Sequence, residues 1–418
     1  MRRVFLHVGL PKSGTTYVQA VAVRHKAQLM RRASLLFPGE RWVDQVDAVR
    51  DLRELAVARG RRAAAAGAWD RLVAEMTAWP GDALVSMEWL CKATSAQIDR
   101  IGADLAGSEL HVMFTVRDLS RTVPPAWQES SQNRATWRWS EYLEQVTSDR
   151  ALSTKAGSGF WAGQDMGPLL GRWSALAPPE RIHVVTVPRP GAAPEELWRR
   201  TAAVLGVDAE GYDLADLSAN TSLGRESAEL MRRVNEQVPA RVGRIRYEQA
   251  FKYDLAKRRL AGRHDQESAV ELPPKLHGWV VDAAEQQVRA IEASGVRVHG
   301  SLDDLRPRAE ELAAVRDDVE ADPDDVVDAA VEALVAMALE RRELQDEKEA
   351  LAARVQAQRS RLQRQSAELA RRRAENELRA RRPLRQALVD ASARHPMLHR
   401  ARVGYWRAVN AGRRLRRS

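Results

Sequence analysis

A glycine-rich segment near the start of the chain carries the residue types best suited to hold an anion. It reads Val-Gly-Leu-Pro-Lys-Ser-Gly-Thr-Thr over residues 8–16 and follows a short apolar run. A glycine-rich turn that leads into a helix offers unpaired backbone N–H groups and the positive end of the helix dipole. Gly14 lets the backbone approach a ligand closely, Lys12 supplies a mobile charge, and Thr15 and Thr16 add hydroxyl donors. The segment therefore predicts a phosphate-type loop.

The position of the lysine distinguishes this loop from the one that binds nucleoside triphosphates. That loop requires glycine, four residues and then Gly-Lys-Ser/Thr. Here Thr15 follows Gly14, and the lysine lies two residues before the glycine as Lys12. Because a lysine directly after the glycine is the one that reaches the β- and γ-phosphates, the displacement argues against ordinary ATP or GTP binding.

The segment resembles the Pro-Lys-Ser/Thr-Gly-Thr-Thr loop of sulfotransferases that use 3′-phosphoadenosine 5′-phosphosulfate (PAPS). In that family the loop grips the 5′-phosphosulfate. The resemblance implies that six consecutive residues contact the co-substrate, namely Pro11, Lys12, Ser13, Gly14, Thr15 and Thr16. It also implies an α/β fold related to that of P-loop proteins.

The family also binds the 3′-phosphate, with an arginine at the end of a later strand and a serine eight residues further on. Arg117 directly follows the apolar run 110–116 and fits the first role, since a guanidinium matches phosphate oxygens in a bidentate manner. The serine is missing, because Pro125 occupies its position. Ser120 is included in the predicted site in its place, with Arg121 and Gln128 as the alternatives.

Sulfuryl transfer of this kind needs positioning, stabilisation of the leaving group and a base. Lys12 suits the leaving oxygen, and no metal is expected because cationic and N–H donors can do this work. Glu88 is the favoured base because it follows the predicted strand 83–87 and should face the same crevice. His7, one strand position before the loop, is the competing candidate, and Asp165 is a further one.

These residues depend on elements that alternate along the first 308 residues. Short runs rich in valine, leucine and isoleucine at 3–8, 83–87, 110–116 and 182–187 predict strands, and periodic segments at 69–79, 140–146 and 195–205 predict amphipathic helices. This alternation indicates a mostly parallel sheet with helices on both faces. Ligands collect at the carboxyl ends of such strands, which is where the glycine-rich loop, Glu88 and Arg117 fall.

The remainder of the chain predicts three further segments. Residues 309–328 form an acidic linker, 329–377 a charged helix, and 378–418 an arginine-rich tail. Seven of eleven heptad seam positions between 334 and 369 are apolar, with Arg341, Lys348, Gln358 and Gln365 at the others. This is a weak coiled-coil pattern that favours a homo-oligomer. The alternative is a solitary helix stabilised by Glu-to-Arg pairs.

The charge of the chain is concentrated in its tail. The net charge is +9, yet residues 379–418 contain twelve arginines and one acid, which leaves the rest of the chain slightly acidic. A basic segment with Tyr405 and Trp406 suits an anionic membrane surface, which we expect ahead of nucleic acid. The alternative is a solvated or partner-docking tail.

The composition of the chain bears on the cellular compartment in which we expect the protein. Cys91 is the only cysteine, which excludes an intrachain disulfide and a cysteine-based zinc site. No run of 18 apolar residues exists, and the apolar run after Met1 is too short for a signal peptide. We therefore expect a cytoplasmic protein, or a peripheral one at the inner face of the membrane.

Taken together, the residues predict a PAPS-dependent sulfotransferase. The acceptor is expected to present a hydroxyl or amine on a small metabolite, a glycan or a glycolipid. One alternative is a P-loop small-molecule kinase, which the position of Lys12 disfavours. The other is a catalytically inactive protein that acts through its coiled coil and basic tail, an alternative that Pro125 keeps open.

Overall fold

A computed structural model describes residues 1–55, 62–215, 217, 222–313 and 320–415. The chain divides into two compact units, residues 1–335 and residues 336–418. The first contains the sheet and all predicted site residues, and the second is helical.

The first unit is built on a six-stranded sheet in which every pair of neighbours is parallel. The strands lie in the order β2-β3-β1-β4-β5-β6. Their bounds are β1 Arg3–Gly9, β2 Leu35–Leu36, β3 Asp82–Ser86, β4 Glu109–Val116, β5 Ile182–Thr186 and β6 Arg297–His299. The four predicted strands are confirmed within one residue at each end, and the short edge strands β2 and β6 were not predicted.

Helices flank the sheet and account for most of the chain. Those of the first unit are α1 Thr15–Arg24, α2 Lys26–Ala33, α3 Trp42–Leu52, α4 Arg62–Ala65, α5 Ala68–Ala78, α6 Ser95–Asp104, α7 Val123–Gln132, α8 Trp139–Thr147, α9 Lys155–Trp161, α10 Met166–Trp173, α11 Glu196–Leu205, α12 Arg225–Gln237, α13 Arg244–Tyr247, α14 His277–Ser294 and α15 Ala309–Ala313. A π-helix, Glu248–Leu260, follows α13 directly. The three predicted helices correspond to α5, α8 and α11.

The sheet is covered on both faces because side chains alternate along each strand. Val4, Leu6 and Val8 of β1 point to a core that includes Trp69 of α5 and Ile291 of α14. On the opposite face, Phe5 of β1, Met113 of β4 and Val185 of β5 pack with Val21 of α1 and Trp198 of α11. The predicted α/β class, with helices on both faces of a parallel sheet, is confirmed.

The topological switch point of the sheet lies beside β1. The chain adds β2 and β3 on one side of β1 and then β4, β5 and β6 on the other. In open parallel sheets, ligands bind at the carboxyl ends of the strands beside such a point. The segments that follow β1, β3 and β4 are the ones that carry the predicted site residues.

Helix α16 spans Pro323–Arg394, and α17 spans Pro396–Leu415. The first turns of α16 belong to the core of the first unit, where Val326 and Ala329 are buried. The helix thus begins inside the predicted linker and continues into the predicted tail, while residues 314–319 of the linker lie outside the described residues. The proposed division into linker, helix and tail stays a prediction. Within the described ranges, no helix combines the length and apolar character that a membrane span requires.

A row of histidines links β4, β5 and β6 on the face that α11 covers. Glu109 Oε1 lies 2.8 Å from His111 Nε2, His111 Nδ1 lies 2.9 Å from His183 Nε2, and His183 Nδ1 lies 3.1 Å from His299 Nε2. Neutral rings that each donate from Nε2 satisfy the whole row. Burial lowers the pKa of all three, that of His183 to about 3.

We predict that acid destabilises the protein through its buried histidines. Burial lowers the pKa of both His7 and His183 to about 3, below the ordinary value of about 6.5. The unfolded chain therefore binds more protons between those values, so the free energy of unfolding is highest above about pH 6.5 and falls as the pH decreases. Urea unfolding at pH 7.5 and 5.5 should show a loss of up to ~3 kcal/mol from these two residues.

The variant His183→Gln provides the control, since glutamine takes up no proton in this range. It should lose about half of the acid sensitivity attributed to the two histidines. An unchanged dependence on pH in this variant would mean that His183 is not neutral in the folded protein.

Candidate functional site

The loop after β1 turns sharply over the carboxyl end of the sheet and enters α1. Lys12 and Gly14 both have left-handed backbone, with φ of +63° and +82°. A Cβ atom on Gly14 would lie 2.6 Å from Leu197 Cδ2, so α11 packs directly against this point of the loop. Gly14 O accepts hydrogen bonds from Tyr17 N and Val18 N, which starts the helix. As at any helix start, the first N–H groups have no carbonyl one turn earlier to bind.

A buried polar network supports the loop from below. His7 Nδ1 lies 2.7 Å from Ser86 Oγ on β3, and His7 Nε2 lies 3.1 Å from Thr115 Oγ1 on β4. Thr115 Oγ1 donates to Gly9 O and lies 3.0 Å from Ser13 Oγ, which in turn donates to Leu10 O. The Ser13 hydroxyl is therefore used inside the loop and does not face a ligand.

His7 belongs to this network and not to the crevice above it. Its side chain is fully buried, both ring nitrogens contact hydroxyl groups, and burial lowers its pKa to about 3. A neutral ring that donates from Nε2 and accepts at Nδ1 satisfies every partner. We therefore drop His7 as a candidate base, because it has no nitrogen with which to reach a substrate.

Lys12 forms an ion pair that the sequence did not predict. Its Nζ lies 3.0 Å from Glu129 Oε2 on α7, and both side chains are partly exposed. Burial on its own would raise the pKa of Glu129, but Lys12, Lys252 and Lys257 together lower it. Lys252 comes from the π-helix and donates to Asn133 Oδ1. Glu129 is thus a carboxylate among three cations at the mouth of the loop.

Glu88 lies close enough to Lys12 and Glu129 for both charges to act on it. Only Met87 separates it from the end of β3, and it begins a short 3₁₀ turn. Its side chain is half-buried. Burial raises its pKa, the hydrogen bond from Gln19 Nε2 at 3.0 Å lowers it, and Glu129 and Lys12 act on it with opposite signs. A carboxyl group with a raised pKa is a stronger proton acceptor once ionised.

Arg117 closes the crevice from the end of β4. Its Nη1 donates to Lys12 O at 3.4 Å, so the guanidinium reaches the loop. Burial, followed by the charge of Arg121, lowers the pKa of Arg117 to about 10. Its Nε is buried and has no hydrogen-bond partner among the described residues. A desolvated cation with an unused N–H donor is suited to an anionic ligand.

The candidates for the missing serine are engaged elsewhere. Ser120 donates its hydroxyl to Asp118 Oδ2 at 2.6 Å, and Gln128 donates to Leu223 O. Arg121 donates from Nη1 to Pro188 O at 3.1 Å. Pro125 lies in the first turn of α7 and has no N–H to offer. Of the three, Arg121 is the cation, and its guanidinium has more N–H donors than the one bond to Pro188 O uses.

One tryptophan of α7 and one of α9 belong to the helical core. The ring N–H groups of Trp127 and Trp161 donate to Trp137 O and Val146 O within the helical core. Thr15 is buried and Thr16 exposed at the start of α1, and Pro11 O accepts from Gln164 Nε2 at 2.7 Å. Asp165 precedes α10 and has a pKa raised by burial.

In the part of the chain that the structure describes, concavities occur at both ends of the strands. The larger, of about 370 Å³, is at the amino ends of β4 and β5 beside Ser108 and Arg181, which is the edge opposite to the loop. A much smaller one lies beside Arg117 and Gln164. We take the candidate site to be the loop itself, where Lys12 pairs with Glu129 and Arg117 donates to Lys12 O, and not either concavity. In the described ranges, no three histidine, cysteine or acidic side chains are grouped to hold a metal ion.

We predict that Gly14→Ala distorts the loop. An alanine there adopts a disfavoured backbone conformation and its Cβ meets Leu197, so the free energy of unfolding should fall by ~1–3 kcal/mol. Gly159→Ala is the matched control, because Gly159 is an exposed helical glycine whose added Cβ meets nothing within 4 Å. Urea unfolding that gives equal stability for both variants would contradict the tight packing at Gly14.

Comparison with known proteins gives one structural likeness. No protein-family model matches the chain, and no curated protein matches it. A crystal structure of a sulfotransferase from Alicyclobacillus acidocaldarius is 16% identical, with a TM-score of 0.35 over 61% of this chain and 98% of that one. At that TM-score the two folds agree too loosely for the likeness to support a function.

Proposed function

We propose that the chain is a sulfotransferase that moves a sulfuryl group from PAPS to an acceptor hydroxyl or amine. The observation that carries the proposal is the placement of Lys12 within the glycine-rich loop, beside a half-buried arginine and a carboxyl group with a raised pKa. A triphosphate loop would instead present its lysine from the position after Gly14.

The residues of the crevice fit a ligand with two separate anionic groups. The loop N–H groups, Lys12 and the Thr15 hydroxyl would hold the 5′-phosphosulfate. Arg117, whose Nε is buried without a partner among the described residues, would hold the 3′-phosphate. Arg121 is our candidate for the contact that the family's serine normally makes, since Ser120 already donates its hydroxyl to Asp118.

The transfer would proceed by in-line displacement at sulfur. The acceptor oxygen or nitrogen forms a bond to sulfur while the bond from sulfur to the bridging phosphate oxygen breaks. Glu88 accepts the proton that the acceptor loses, and Lys12 stabilises the negative charge that develops on the leaving phosphate. The products are the sulfated acceptor and adenosine 3′,5′-bisphosphate.

A catalytically inactive binding protein is the second candidate, and a specific observation favours it. Pro125 removes both the hydroxyl and the N–H that the family places beside the 3′-phosphate, and Gln128 does not replace them because it is tied to Leu223 O. Binding of the nucleotide without transfer to any acceptor would support this candidate.

We predict that adenosine 3′,5′-bisphosphate raises the melting temperature of the protein and that ATP with magnesium does not. Lys12→Ala should abolish the effect, since it removes the loop cation that would contact the 5′-phosphate. Glu129→Gln is the matched control, because it preserves Lys12 and removes a competing carboxylate 3.0 Å away. This variant should bind the bisphosphate as tightly as the wild type or ~2–5-fold more tightly by calorimetry.

Stabilisation by ATP in place of the bisphosphate would revive the kinase alternative. The absence of stabilisation by both nucleotides would refute the proposed donor.

We predict that Glu88→Gln slows transfer by ~10²–10⁴-fold without weakening bisphosphate binding. Transfer is measured with radiolabelled PAPS and cell extract as the source of acceptors, followed by identification of the labelled product. The wild-type rate should fall as the pH drops below the raised pKa of Glu88, and the variant should lack this acid limb. An acid limb that persists in the variant would assign the base to another residue.

A further inference from the structure

The long helix of the second unit exposes a regular apolar seam. Between residues 337 and 369, α16 presents six apolar side chains spaced seven or four residues apart, and each is at least 41% exposed: Met337, Leu344, Leu351, Val355, Leu362 and Leu369. A helix in water gains most of its stability by packing such a stripe against a partner. The spacing fits the seam of a coiled coil.

Polar residues at four seam positions distinguish a parallel from an antiparallel pair of helices. These positions are Arg341, Lys348, Gln358 and Gln365. In a parallel, in-register pair each seam residue faces its own copy. Arg341 would then face Arg341 of the other chain and Lys348 would face Lys348, which places like charges at two layers of a seam that excludes water. A parallel pair is therefore poorly matched.

An antiparallel pair centred on Ala353 matches every seam layer from residue 337 to residue 369. In this arrangement each residue faces the one that lies equally far on the other side of residue 353. The apolar layers are Met337 with Leu369, Leu344 with Leu362, and Leu351 with Val355. The polar layers are Arg341 with Gln365 and Lys348 with Gln358.

The match is specific to one register. Sliding the two helices by one heptad places Lys348 against Leu351 in one direction and Val355 against Gln358 in the other. Charged residues beside the seam do not decide the direction of the helices. In the antiparallel pair Glu347 would face the partner's Arg361, an attractive contact, whereas Arg354 would face the partner's Arg354, a repulsive one. Exposed ion pairs also contribute little to stability. The buried layers decide the direction.

We infer that residues 337–369 bind a second copy of this chain as an antiparallel, two-stranded coiled coil centred on Ala353. The seam is complementary to itself, which an unrelated partner helix would have no reason to match. The inference does not depend on the proposed activity, since dimerisation is measured without substrate.

Disulfide cross-linking of the full-length chain tests the direction of the helices. The native Cys91 is buried, so the wild type should give no cross-link. The double variant Leu344→Cys/Leu362→Cys should form a covalent dimer under oxidation, because these two positions face each other. Leu344→Cys alone should form none, since its two copies lie ~27 Å apart along the axis in the antiparallel pair. A dimer formed by Leu344→Cys alone would establish a parallel pair and overturn the inference.

A double-mutant cycle at Lys348 and Gln358 tests the register. Dimer dissociation is measured by sedimentation for Lys348→Leu, Gln358→Leu and the double variant. In the antiparallel pair each single change sets leucine against a polar residue, whereas the double change completes an apolar layer. The double variant should therefore tighten the dimer at least ~3-fold beyond the product of the single effects. Independent effects at the two positions would contradict this register.

Light scattering supplies the remaining control. The wild type should have twice the mass of the 46.8 kDa chain. Leu351→Asp should yield a monomer, and Ala353→Asp, on the outward side of the helix, should remain a dimer. A wild-type monomer at micromolar concentration, or equal effects of the two aspartates, would refute the coiled coil.

Discussion

The candidate site depends on the polar contacts buried beneath its loop. His7, Ser86, Thr115 and Ser13 come from β1, β3, β4 and the loop itself, and each satisfies a neighbour that has no access to water. Leaving one such group without a partner costs about 1–3 kcal/mol, so the network holds the three strand ends in one relative position. Lys12, Glu88 and Arg117 each follow one of these strands within a few residues. The spacing of the candidate side chains is therefore set by the buried network around His7.

The electrostatic balance of the crevice is set by residues from both sides of the sheet's switch point. Lys12 acts on two carboxyl groups. Burial raises the pKa of Glu88, whereas several lysines lower the pKa of Glu129. Two carboxyl groups close to one cation thus have opposite pKa shifts, which suits one to accept a proton and the other to remain ionised. Arg117 adds a second cation. Because it is largely removed from water, an anionic ligand would interact with it strongly.

The sequence allowed the central strands and the loop to be predicted because strands of a parallel sheet are buried on both faces and appear as continuous apolar runs. β2 and β6 could not be recognised, since two or three residues carry no periodic signal. Glu129 escaped prediction for a different reason: it lies on α7, and only the fold brings it 3.0 Å from Lys12. The partners of His7, the competing candidate for the base, could not be predicted either, because Ser86 and Thr115 meet it only when β3 and β4 pair with β1.

The ion pair between Lys12 and Glu129 sets a condition for any anion that is to contact Lys12. A carboxylate held on α7 is present beside the ammonium group at a high effective concentration, which a dissolved ion must overcome to replace it. Chloride exchanges one charge for another and gains nothing more. A ligand that engages Lys12, the loop amides and Arg117 together gains several contacts for the one that it breaks. We therefore expect an anion with several contacts to replace Glu129 more readily than a simple salt ion does.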